Sequence, residues 1–301
     1  MSDLYNTVLA TYTAGFQSLP PRSQFHFASR RYLWSRDEQS NQWLSTLRAD
    51  FTANDNATAA CERLLNQPLP ALSQTGQARQ PYFENFPQLR EQERLLFRLL
   101  FMHTVYGLEN RTALSQFYTD DALTQQHDAL LHDSEALAYL SSFGVNYLYL
   151  LDRFIRHDES ALPLEQLVTV PLRLHRQTPL ERQLQLYFYT HCMLGESLFY
   201  GRAIPAEPRP IYQQMLQSIE SILAEYIDQT KLDNLFEFLV CCRMLDYQSP
   251  LELEIYERAE AAVTTDGFIG EPLDPRMGTL QKAEHRNVLF LISHEPYRPQ
   301  Y

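Results

Sequence analysis

The chain has 301 residues, with 25 Lys plus Arg against 37 Asp plus Glu, a formal charge of −12. No basic cluster is denser than Arg30-Arg31. Nucleic acid and anionic membrane are therefore poor partners, because both demand a concentrated positive patch. Hydrophobic residues make up 45%, enough for a packed core and too many for a disordered chain.

The first 66 residues read as three or four helices without sharp bounds. Pro68, Pro70, Pro81 and Pro87 then mark a loop, and 69–87 is the best candidate for a boundary within an otherwise single domain. From Arg90 a helix carries a wide apolar face through Leu95, Leu96, Leu99, Leu100, Met102 and Val105. Asp120 and Asp121 open the next. Ser134 is expected to cap a helix running through Leu137, Leu140, Val145, Leu148, Leu151 and Ile155, with Glu135 favouring its positive end. Val168 and Val170, between Pro163 and Pro171, give the one strand-like hint.

Pro179 suits the first turn of a helix through Leu184, Phe188, His191, Leu194 and Leu198. Pro210 opens another, with Met215, Ile219, Ile222 and Leu223. Helices over 232–245, 250–263 and 280–294 complete the chain. Only 9 Gly are present, no Asn-Gly or Gly-Gly turn occurs, and no clean alternation runs over six positions. These features exclude a sheet-rich chain. The fold class is all-α.

The most apolar helices centre near Leu100, Tyr147, Cys192, Val240 and Asn287, a spacing of about 47 residues. A less apolar helix lies between most neighbours. About six helical hairpins therefore fill the chain, and the expectation is a closed α/α toroid; an open α-solenoid or irregular helical array is the alternative. The segment from Thr190-His191 to Phe199-Tyr200 resembles a helix of uncharacterised bacterial α/α-toroid, six-hairpin-like proteins. That resemblance implies the toroid and no particular reaction. The zinc site of the toroidal lanthionine cyclases is not expected, because His191-Cys192 has no second motif cysteine.

Cys61, Cys192, Cys241 and Cys242 form neither a disulfide framework nor a Cys-x-x-Cys ligand pair, and fit a reducing compartment. The start, Met1-Ser2-Asp3-Leu4-Tyr5, lacks the pattern of a signal peptide. No uncharged apolar run reaches the ~18 residues of a membrane helix. The expectation is an acidic cytoplasmic protein. Dinucleotide, P-loop, zincin and nucleophile-elbow motifs are all missing, so no cofactor is expected.

What remains is polar residues on helices that ought to be apolar, each of which needs a reason to be there. Asp152 and Glu196 are carboxylates on two such helices, with Asp246 on a third. With His191, they are the candidate catalytic residues for acid–base work. Glu284, His285, Asn287 and Tyr149 are the candidate ligand-binding residues. His103, His191 and His285 lie on three apolar helices, but a metal site is not expected from them. Arginines near the carboxylates, at Arg153, Arg156 and Arg243, offer ordinary ion pairs instead. The loop 265–275 reads either as a lid or as a tight reversal before the last helix. Two functions fit: binding of a small-molecule or carbohydrate-like ligand in a central cavity, with acid–base chemistry, or a helical-repeat scaffold for a protein partner.

Overall fold

The computed structural model describes residues 2–72, 77–109, 111–160 and 162–300. It is all-α: 71% of the chain is helical, and no strand occurs among the described residues. Its contacts divide the chain into two compact units, residues 48–198 and residues 1–47 with 199–301. The loop 69–87 falls inside the first of these. No helix among the described residues is long and apolar enough to cross a membrane.

The unit 48–198 receives the end of α3 (Glu38–Thr52) and contains α4 (Ala57–Leu65), α5 (Gln80–Asn85), α6 (Leu89–Tyr106) and α7 (Arg111–Leu114). It continues with α8 (Asp120–His132), α9 (Ser134–Leu140), α10 (Ser142–Tyr149), α11 (Leu164–Thr169) and α12 (Pro179–Glu196). Local chemistry sets these bounds. The Asn56 side chain accepts from Ala59 N, and Thr119 accepts from Ala122 N. Thr178 and Glu181 form a complete capping box ahead of Pro179, the reciprocal arrangement that satisfies two orphan donors. Gly107, at φ 67°, closes α6.

Three local readings of the sequence are corrected here. The cap expected from Ser134 is supplied by Asp133, whose side chain accepts from Ala136 N. The single helix expected from Ser134 to Ile155 breaks at Ser141 (φ 49°, ψ −118°) and becomes a π-helix over Leu150–Arg156. Val168 and Val170 are helical, in α11 and in a 3-10 turn, Val170–Arg173. In the core of this unit α10 packs on both α6 and α12. Gly195 permits that closeness: a Cβ there would lie 2.6 Å from Tyr149.

The other unit holds α1 (Ser2–Gly15), α2 (Pro21–Ser35) and most of α3, then α13 (Arg209–Tyr226), α14 (Leu232–Met244), α15 (Glu252–Ala261) and α16 (Leu280–His294). Here α16 is central and packs on α1, α2 and α14. Stacked rings, Tyr12 on Phe27 and Phe16 on Trp43, tie the first helices together. Aromatic pairs add specific geometry to their buried area. The segment after α16 runs back over the unit: Arg298 N donates to Trp34 O at 2.7 Å and Gln300 N to Gly201 O at 3.0 Å.

The loop before α16 is a tight reversal. Thr264 N bonds Phe268 O at 2.9 Å, Gly270 N bonds Ala262 O at 2.8 Å, and Gly267 takes φ 82°. Phe268 and Ile269 are buried. Asn287 fixes the turn by accepting from Ile269 N at 2.8 Å and donating to Ile269 O at 3.0 Å.

Candidate functional site

The perturbed groups of the unit 1–47 with 199–301 converge on three adjacent helices. On α2, Arg22, His26 and Arg30 stand four residues apart, so they share one helix face. On α16, Glu284 and His285 face that strip. His26 Nδ1 lies 2.8 Å from Glu284 Oε1, and the His26 and His285 rings are 5.2 Å apart. On α14, Asp233 reaches the same group electrostatically and accepts from Arg286 Nη2 at 3.1 Å.

The electrostatics follow from crowding. Burial pushes the Glu284 carboxyl up to about 8, against the pull of His285 and Arg30. Burial takes His285 down to about 4, with His26 adding to the effect. His26 is lowered well below its ordinary value by burial, then by Arg30 and Arg22. Glu284 itself is 5% exposed. His285 is open to water and the His26 side chain keeps 23% of its accessible surface. Burial thus favours the uncharged forms of the Glu284 carboxyl and of both imidazoles. Such a constellation can give or take a proton near pH 7.

Arg30 is also within electrostatic range of Tyr200. Tyr200 is 3% exposed and ends a run of three left-handed residues: Leu198 (φ 48°), Phe199 (φ 53°) and Tyr200 (φ 77°). None is glycine, so each costs about 1–2 kcal/mol relative to ordinary helical backbone. Strain of this kind persists where surrounding structure enforces it, often beside a site.

The unit 48–198 has a second polar relay, again on three adjacent helices. His191 Nδ1 on α12 contacts Asn146 Oδ1 on α10 at 2.7 Å. Asn146 Nδ2 donates to Glu93 Oε1 on α6 at 3.0 Å. Tyr187 lies edge-on to His191. Arg79, taken down to about 10 by burial, stands within range of Tyr187 and Glu93.

The remaining sequence candidates are placed as follows. Asp152 is fully buried, accepting from His127 Nε2 at 2.7 Å and Arg156 Nη1 at 3.1 Å. Burial alone would lower His127, but its bond to Asp152 prevails and its pKa is raised. Glu196 is buried and accepts from Arg153 Nε at 3.0 Å. The π-helix places Asp152 and Arg153 toward different helices, α8 and α12. Tyr149 packs against Gly195, with Arg153 5.8 Å from its ring centre. Asn287 spends its amide on Ile269 and Ala283. His103 closes the end of α6 through Leu108 O at 3.2 Å. So Glu284 and His285 are brought together, His191 joins a relay, and Asp152 and Glu196 each sit in an arginine pair.

His26, Arg22, Arg30 and Glu93 were not singled out by sequence reasoning. The signal for the first three was the four-residue spacing on a helix without a single acid. Among the described residues, no group of three or more His, Cys, Asp or Glu is arranged to hold a metal ion. The four cysteines are buried and free. Burial raises Cys61 to about 11 and raises Cys192 and Cys242 as well, which makes them inert.

A pocket of about 340 Å³ lies elsewhere in the same unit as the His26 strip, lined by Arg209, Arg243, Asp246, Glu295 and Tyr297 among others. Its charges are engaged: Arg209 with Asp246, Arg243 with Glu252, and Glu295 with Arg31 and Ser35. The wall of α2, α14 and α16 offers the stronger chemistry. No family model, curated protein or solved structure matches the chain.

Proposed function

We propose that the protein binds a small molecule against the wall of α2, α14 and α16, and that Glu284 and His26 exchange a proton with it. The observation that carries this reading is the 2.8 Å contact between His26 and Glu284 beside His285. A part-buried acid–imidazole pair adds little that an apolar pair would not supply to folding. It is well suited to donating and accepting hydrogen bonds with a polar ligand. A protein-binding scaffold has less support. Among the described residues the exposed large hydrophobic ones, Leu69, Leu172, Leu253 and Leu273, stand on separate segments of the chain.

We also propose that the hairpins close into an α/α toroid. The 47-residue spacing supports this, as does the side-by-side packing of α6, α10 and α12 in one unit and of α14, α16 and α2 in the other.

The experiment is a fragment screen by NMR on the full chain, observing the imidazole signals of His26 and His285. Binders that move these signals, and whose affinity loses its pH dependence near neutrality in Glu284→Gln, are expected. Small polar fragments that leave both imidazoles unmoved would remove this wall as the site.

A further inference from the structure

We propose that the pocket at the start of α13 and the ends of α14 and α16 binds a free α-amino acid with an apolar side chain, its carboxylate on Arg209 and its ammonium on Asp246. This is a second site, independent of the His26 wall. Its cavity of about 340 Å³ is lined by Arg209, Met244, Asp246, Pro296, Tyr297 and Pro299 among others. That is the small end of ligand cavities, which run from roughly 300 to 1,000 Å³. Arg243 and Glu295 also line it, but both are saturated. Arg243 donates to Ser293 O and to both oxygens of Glu252. The Glu295 carboxylate accepts from Tyr5, Arg31 and Ser35.

Arg209 and Asp246 keep spare capacity. Among the described residues Arg209 donates only from Nε, to Ile204 O at 3.2 Å, and from Nη1, to Asp246 Oδ2 at 3.3 Å. The Asp246 carboxylate accepts from Arg209 alone among those residues, and its side chain is 85% exposed. An ion pair that long and that exposed contributes little, so an incoming ligand displaces it at small cost. It leaves a guanidinium Nη2 to donate and a carboxylate oxygen to accept, side by side in one cavity. The helix ends sharpen this polarity. Arg209 is the first residue of α13, whose first turn holds no acid. Asp246 lies two residues after Met244, the last residue of α14. A helix favours anions at its start and cations at its end, so both charges stand where the dipole disfavours them. A zwitterion meets both poles at once: its carboxylate at Arg209 and the start of α13, its ammonium at Asp246 and the end of α14. Guanidinium geometry suits the carboxylate. Met244, Pro296, Tyr297 and Pro299 receive the apolar side chain. That lining is preformed, because the Tyr297 ring packs 4.4 Å from Trp34 and its hydroxyl donates to Arg202 O.

The test titrates L-leucine and L-phenylalanine into the full chain and follows the backbone amide signals of Arg298 and Gln300 by NMR. Isocaproate and isoamylamine, which are leucine without its amine and without its carboxylate, are the controls. At least one of the two amino acids should give saturable shifts, and each control should bind at least tenfold more weakly than leucine or not at all. Affinity for the amino acid should fall at least tenfold in Arg209→Gln and in Asp246→Asn. Asp246→Asn keeps the test sound if Arg209→Gln folds poorly, because the Asp246 side chain is exposed. No saturable shift with either amino acid, or an affinity unchanged in Asp246→Asn, overturns the proposal. Isocaproate or isoamylamine binding as tightly as leucine also overturns it, because one charge would then suffice.

Discussion

Glu284 Oε1 and His26 Nδ1 meet at 2.8 Å, and the Glu284 carboxyl is raised while the His26 imidazole is lowered from its ordinary value. Burial drives each group toward its uncharged form, which favours a neutral hydrogen bond over an ion pair. That makes it sensitive to pH in a direction that can be worked out.

An ordinary Glu loses its proton near 4.5, whereas Glu284 keeps it to about 8. Between those values the folded state binds a proton that the unfolded state lacks. The Glu284 contribution to stability is therefore full below pH 4.5 and lost as pH rises toward 8. His285 acts at the other end. Its pKa of about 4 lies below 6.5, so stability is lost as pH falls from 6.5 toward 4. Thermal denaturation from pH 5 to 9 should show a melting temperature falling on the alkaline side. In Glu284→Gln that fall should be shallower, because Gln cannot ionise. Parallel profiles for the two proteins would contradict the assignment.

Gly195→Ala should destabilise the chain by about 1–3 kcal/mol, the usual cost of forcing a methyl into a packed interface. The added Cβ would lie 2.6 Å from the Tyr149 Cβ and ring. Urea denaturation followed by tyrosine fluorescence would measure it. A neutral effect would mean that α10 and α12 separate easily.

Removing Glu196 tests the reading of that residue as a structural partner. Glu196→Gln leaves Arg153, 3% exposed, without its buried carboxylate. Breaking such a pair costs about 3–5 kcal/mol. A variant of native stability would show that Arg153 is satisfied otherwise and would return Glu196 to the catalytic candidates.

Asn287→Ala removes three hydrogen bonds to Ile269 and Ala283. Leaving those buried backbone groups unpaired should cost about 1–3 kcal/mol for each one not re-satisfied. Hydrogen exchange at the Ile269 amide should speed up first. Unchanged protection there would mean that the turn holds without Asn287.

Much of the helical order was legible from residues alone. The last helix, Leu280–His294, has the expected bounds because Thr279 caps it and a continuous apolar face fills it. The start of α12 was legible from Pro179. The break at Ser141 was not, because Ser tolerates helix interiors and only the bond from its hydroxyl to Leu184 O, 2.6 Å long, exposes the reason. The π-helix was hidden for a similar cause: Asp152 and Arg153 fit an α-helix locally, and their turning is fixed by His127 and Glu196 on other helices.

The site was half legible. Glu284 and His285 stand out as polar residues on an apolar helix. His26 lies in a region whose helix bounds were indistinct, and its pairing spans 258 residues of sequence. No local spacing rule reports a contact of that range. Asn287 is polar and buried like Glu284, yet its amide serves the backbone. Sequence alone does not separate the two uses.

The most direct measurement is a carbon-detected NMR titration of the glutamate carboxyl groups, with the Glu284 signal assigned by its loss in Glu284→Gln. The account predicts a carboxyl protonated at pH 7 that titrates with a midpoint of about 8. A Glu284 signal that titrates near 4.5 would contradict it, because the carboxylate would then be ionised at neutral pH and the pair with His26 an ordinary salt bridge.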